Sequence, residues 1–149
     1  MNEIVVDASS FILWSETSLL EIIFENKLFL IFLTMDVVDE LKDIESRLYL
    51  NKGIMERMIK IVNVDDEDKE NITVKYKLGK GEISCIAFCL KEGKVFVTDD
   101  IAARNKAEKE GVKVFTTKQL ISEFIKDEHI SLLAKEKLKR TYPHRFSDL

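Results

Sequence analysis

Breakers are scarce in this chain: one proline and five glycines among 149 residues. Few positions can therefore interrupt a helix or a strand, and regular elements with short connections are expected. Cysteine is almost as rare. Cys85 and Cys89 stand four residues apart in an apolar helical stretch, with no second Cys or His pair beside them. That excludes a disulfide framework and a cysteine–histidine metal site, and leaves two buried core thiols in a reducing compartment. His129 and His144 are the two histidines, and neither belongs to a catalytic arrangement, so both are expected at the surface or in the tail. No apolar run is long enough to span a bilayer. The most apolar stretch, residues 19–33, is broken by Glu21 and by Glu25-Asn26-Lys27. The N-terminus lacks a basic segment followed by an apolar one, so no secretory leader is expected and the protein reads as cytoplasmic. An excess of basic charge is missing too. The net charge is −4, so charge alone does not imply nucleic acid. A local Lys/Arg rim can still act within a Debye length of about 8 Å.

What is present is an ample apolar content, 46%, over a length typical of one domain. Residues 1–149 are read as a single domain, with about residues 141–149 a C-terminal tail. Residues 3–6, 28–33, 61–64, 94–98 and 113–115 read as strands, the second an unbroken apolar run of the kind buried on both faces. Helical spacing covers 8–14, 18–26, 82–92, 101–110, 118–126 and 130–140. A helix capped by Thr34 or Asp36 carries Val37, Val38, Leu41 and Ile44 on one face, and helix resumes over 54–59. Gly93 and Gly111 stop helices, and Thr117 is positioned to cap the one after it. Residues 72–78 fit a strand or a short helix. The block Asp65-Asp66-Glu67-Asp68 reads as a solvated loop or helix start. Strands alternating with helices give a three-layer α/β/α sandwich with a mostly parallel central sheet.

Acidic residues recur at the junctions of this pattern. Asp7 ends the run Ile4-Val5-Val6, Glu40 sits in Val37-Val38-Asp39-Glu40-Leu41, Glu82 follows Gly79-Lys80-Gly81, and Asp99-Asp100 follows Val95-Phe96-Val97-Thr98. In an open α/β sheet ligands bind at the carboxyl ends of the strands, so distant segments can deliver these carboxylates to one cleft. Four carboxylates within about 6 Å repel by on the order of 3 kcal/mol per pair, even at an effective dielectric near 20. A hard divalent cation such as Mg2+ or Mn2+ resolves that repulsion, and it can activate water for phosphodiester hydrolysis. One metal held by Asp7 and Asp99/Asp100 is the expected arrangement. Glu40 and Glu82 would then bind through water, orient the nucleophile or complete a second site. Ser9 and Thr98 are expected to hold carboxylates or metal waters in place. Arg104, one turn beyond Asp100, either contacts a phosphate or pairs with a neighbouring acid.

These motifs resemble those of the PIN-domain family of ribonucleases, which includes VapC-like toxins. The opening-strand acid is matched by Asp7, the Val-x-x-Glu-Leu-type segment by Glu40, the Gly-Glu motif by Gly81-Glu82, and the Thr-Asp-Asp motif followed by Ala-Arg by Thr98-Asp99-Asp100 and Ala103-Arg104. Either Asp99 or Asp100 can supply the fourth carboxylate. The resemblance implies a metal-dependent endoribonuclease acting on RNA, the toxin of a toxin–antitoxin pair, with an antitoxin partner and a homodimer. The apolar crowd Phe11, Ile12, Trp14, Leu19, Leu20, Ile22, Ile23 and Phe24 points the same way if part of it stays uncovered. The alternative is a PIN-like scaffold module in RNA processing, which incomplete acids would favour; here all four positions are filled. A receiver-like domain with Asp65 as phosphoacceptor lacks the acidic pair expected after its first strand. Asp7-Ala8-Ser9 is not the Asp-x-Asp of a phosphatase of the haloacid type.

Overall fold

A computed structural model describes residues 1–149. Five strands, β1 (Asn2–Val6), β2 (Phe29–Thr34), β3 (Ile59–Val62), β4 (Val95–Val97) and β5 (Val114–Phe115), form one sheet in the order β3-β2-β1-β4-β5. Every pairing is parallel, with Ile4 opposite both Ile31 and Val95. The helices between them are α1 (Ala8–Glu16), α2 (Leu19–Glu25), α3 (Met35–Glu40), α4 (Ile44–Met55), α5 (Asp66–Thr73), α6 (Lys80–Glu92), α7 (Ile101–Lys109), α8 (Thr117–Phe124) and α9 (Glu128–Thr141). Among the helices, α1, α2 and α4 pack together, and α5 packs on α6. The α/β/α sandwich is as expected from the alternation of periods.

Strand order reverses at β1, whose neighbours are β2 on one side and β4 on the other. That reversal is the topological switch point of an open parallel sheet, where the loops leaving the carboxyl ends splay apart. Asp7 leaves β1 there, and Thr98 leaves β4 beside it.

Several boundaries differ from the sequence reading, each for a local reason. Helix does not resume over 54–59: α4 ends at Met55, Arg57 turns through φ 60°, and β3 begins at Ile59, two residues early. β3 is an edge strand with Ile61 facing partly outward, so its apolar residues do not mark its limits. Leu41 ends α3 in extended conformation. Ile44 therefore starts a separate helix with its side chain 80% exposed, rather than extending the buried face of Val37 and Val38. Thr116, not Thr117, caps α8, in a reciprocal capping box with Gln119. Residues 72–78 end α5 and continue as loop. Asp65 precedes α5, and its carboxylate meets Lys91.

The crowded apolar residues of the first two helices are covered. Phe11, Trp14, Leu20 and Ile23 are fully buried, Leu19, Ile22 and Phe24 nearly so, and Ile12 packs at the margin of the core. The expectation of an uncovered remainder there is corrected: α4 and α9 pack over these helices and bury it. Cys85 and Cys89 are core thiols, as expected. Phe146, in the last residues of the chain, is also buried in the core.

Candidate active site

Asp7 follows the last residue of the central strand and caps α1, its Oδ1 accepting the Ser10 N–H at 3.0 Å. Its Oδ2 accepts the Thr98 hydroxyl at 2.5 Å, a bond that joins the ends of β1 and β4 across the switch point. Asp7 is only 2% exposed. Burial pushes its carboxyl above the ordinary range, against the Thr98 and Ser10 hydrogen bonds that favour the charged form, and the nearby Asp99 charge adds to the rise.

Thr98 serves two acids. While its hydroxyl donates to Asp7, its oxygen accepts the Asp100 N–H at 3.1 Å. Asp100 in turn caps α7, accepting the Ala103 N–H at 3.1 Å. Of the adjacent pair, then, Asp100 is the cap. Asp99 is not left free: it accepts the Thr117 N–H at 2.8 Å and the Thr117 hydroxyl at 2.6 Å, and Arg145 approaches it at 3.5 Å.

Glu40 ends α3 at the solvent-facing rim, over the first turn of α6. A Cβ built at Gly81 would lie 2.9 Å from both Glu40 carboxylate oxygens, so only glycine admits that carboxylate as it stands. Desolvation raises the Glu40 carboxyl, the Gly81 backbone N–H offsets part of the rise, and the charges of Asp7 and Asp36 reinforce it. Glu82 is half-buried one residue further along α6. Its carboxyl is raised by burial, then by Asp100, Asp7 and Glu40.

Asp7, Glu40, Glu82 and Asp100 come from four separate segments, and the charges of the other three all act on Glu82. None of the four pairs with a Lys or Arg, although cations elsewhere do find carboxylates. No three acidic, histidine or cysteine side chains are arranged to hold one metal ion. The hydrogen bonds give the physical reason: both Asp7 oxygens accept from the chain itself, and Asp99 turns toward Thr117. The donor set nonetheless suits a hard divalent cation: it is all oxygen, and burial disfavours the charged carboxylates of Asp7, Glu40 and Glu82.

Ser9 makes no hydrogen bond to any of the acids. It lines a cavity of about 220 Å3 with Ser10, Asp99, Asp100 and Arg145. Arg104 is half-buried on α7 and forms no ion pair. His129 and His144 are exposed. Sequence reasoning missed Thr117, Trp14 and Arg145. The Thr117 hydroxyl accepts the buried indole N–H of Trp14 at 3.0 Å while donating to Asp99. Thr116-Thr117 follows β5 as Asp7 follows β1, so strand-end logic could have found it. Arg145 carries no such signal.

No curated protein matches the chain. Among solved structures, PAE2754 from Pyrobaculum aerophilum superposes with a TM-score of 0.59 at 16% identity, over 85% of this chain and 91% of that one. VapBC2 from Rickettsia felis, bound to a DNA fragment from its promoter, gives 0.54 at 12% identity, over 76% and 98%. A domain of a functionally unknown protein from Methanocaldococcus jannaschii gives 0.54 at 18% identity, over 78% and 91%. These likenesses establish the fold. The family model of the PIN domain matches residues 3–146, and with acids at the ends of β1 and β4 and on the helices after β2 and before β4, the chain belongs to the PIN-domain family.

Proposed function

We propose that this protein is a divalent-metal-dependent endoribonuclease that hydrolyses RNA phosphodiester bonds. The observation that carries the reading is the gathering of Asp7, Glu40, Glu82 and Asp100 without a basic partner. PIN-domain proteins are generally ribonucleases that use divalent metals. Bound Mg2+ or Mn2+ would supply positive charge to the phosphate oxygens and lower the pKa of a coordinated water. Asp7 and Asp100 would hold the ion. The engagement of Asp99 by Thr117 and Arg145 favours Asp100 over Asp99 as the ligand. Thr98 orients Asp7 and steadies the backbone at Asp100. Glu40 and Glu82, with carboxyls already raised, are suited to take a proton from the attacking water.

An antitoxin partner and a homodimer belong to the same reading. Ile44, Leu48 and Met55 are exposed and fall along one side of α4 by helical spacing, and offer apolar surface for such a partner. A second reading, an RNA-processing scaffold with little or no catalysis, is favoured by the lack of a ready three-ligand set. No helix is long and apolar enough to cross a membrane. Cleavage of defined RNAs with and without chelator, together with thermal shift by Mg2+ or Mn2+, separates the readings. Chelator-sensitive cleavage supports the nuclease; metal-insensitive melting and intact RNA support the scaffold.

A further inference from the structure

The cavity beside the acids is built on one wall for an anion. Ser10 is 1% exposed, and its hydroxyl is the one buried side-chain polar atom in the structure with no hydrogen-bond partner. It lines the cavity together with Ser9 at the start of α1, where the helix dipole favours negative charge. Arg145 lines the same cavity. Its side chain is about half exposed and touches Asp99 through one nitrogen at 3.5 Å, without a hydrogen bond, so its fork of donors is still available. The arginine is held from behind. Its guanidinium carbon lies 5.4 Å from the Phe146 ring centre, Phe146 is buried, and Lys118 on α8 pairs with Asp148 at 2.8 Å.

We propose that Ser9, Ser10 and Arg145 form a phosphate-binding subsite that grips a backbone phosphodiester of single-stranded RNA next to the acid cluster. The inference rests on the nuclease reading for its substrate and adds the residues that seat it. The two acids in the cavity wall do not oppose it. The charge of Asp99 is met by two donors of Thr117, and Asp100 accepts the Ala103 N–H of α7. A phosphate in the cavity would accept from Arg145, and the orphan hydroxyl of Ser10 would gain an acceptor. Arg145 thereby gives the last residues of the chain a binding role.

The test is fluorescence anisotropy of a labelled single-stranded oligoribonucleotide, in chelator and again in Ca2+, with cleavage in Mg2+ assayed separately. Arg145→Gln should weaken binding roughly tenfold, since hydrogen bonds to charged groups are the strong ones. Arg145→Lys should recover only part, because an ammonium keeps the charge but not the fork. Ser10→Ala should weaken binding without lowering the melting temperature, because the hydroxyl it removes has no partner to lose. Arg140→Gln, which drops the same charge from an exposed position on α9, should bind like the unmodified protein. Native affinity in both Arg145→Gln and Ser10→Ala, equal losses in Arg145→Gln and Arg140→Gln, or no RNA binding by the unmodified protein in either condition would each overturn the subsite. Loss of binding in Arg145→Gln without any metal-dependent cleavage would keep the subsite and remove the nuclease reading. Metal-dependent cleavage with unchanged affinity in the variants would do the reverse.

Discussion

Gly81 and Glu40 approach so closely that the hydrogen of the glycine is all that fits beneath the carboxylate, both of whose oxygens would lie 2.9 Å from a methyl carbon there. The clash would be with the mobile end of a side chain, so Gly81→Ala should fold. Alanine is favoured over glycine in a helix by up to about 1 kcal/mol, which should offset most of the local strain. The displaced carboxylate is a different matter, because a misplacement of about 1 Å at a reacting centre can cost on the order of a hundredfold in rate. Melting temperature within a few degrees of the parent and RNA cleavage lowered roughly tenfold or more is the expected pair of results. Unchanged cleavage would show that Glu40 has no part in the chemistry.

Asp7→Asn removes a charge and almost no volume from the centre of the site. Cleavage should fall by about two orders of magnitude, equivalent to roughly 3 kcal/mol in the barrier, and the melting shift produced by Mg2+ or Mn2+ should shrink with it. Asp39→Asn, one residue from Glu40 but about 100° around the helix, serves as the control and should behave like the parent. Equal activity of the Asp7 variant and the parent would remove Asp7 from the site.

Stability should depend on pH in a direction set by the same groups. The carboxyls of Asp7, Glu40 and Glu82 are raised in the fold, with burial the first cause in each. The folded state therefore holds protons that the unfolded chain has released. Their contribution is complete below the ordinary carboxylate range and is lost as pH climbs through the raised values. In chelator, the melting temperature should fall over that interval. The fall should flatten in Asp7→Asn and again when divalent metal is added. Lowered carboxyls such as Glu3, paired with Lys94, act in the opposite sense, but they lie at the surface, where solvent screens them. A profile unchanged by Asp7→Asn would contradict the assignment.

Thr117→Val tests the link between core and cleft. It keeps the shape of the side chain while leaving the buried Trp14 indole N–H without an acceptor and Asp99 without one of its two donors. Leaving a buried donor unsatisfied costs about 1–3 kcal/mol, which urea unfolding would detect as a lower midpoint at constant slope. An unmoved midpoint would mean that the bond carries no net stability.

Much of this was legible in the chain because it is local. A carboxylate directly after an apolar run, as at Asp7, marks a strand end wherever the sheet later forms, and the parallel alternation then brings such ends together. What could not be read was settled by tertiary contacts. Asp99 and Asp100 are neighbours with the same chemistry, and only the arrival of Thr117 beside Asp99 divides their roles. β3 was displaced by two residues because an edge strand has no second neighbour to impose a clean pattern on its apolar residues. Arg145 reaches the cleft from the far end of the chain, a placement that depends on the burial of Phe146.

The central position of β1 has a consequence for the order in which the site can assemble during synthesis. β1 can pair with β2 once Ile31 has been made, but its other neighbour, β4, begins only at Val95. Until that strand has left the ribosome, Asp7 has no Thr98 to orient it and no Asp100 beside it. Arg145 comes later still. A nascent chain that has not reached Asp100 therefore carries at most three of the four acids, without an assembled cleft. The acids can be brought together only after β4 and Asp100 have been made and β4 has paired with β1.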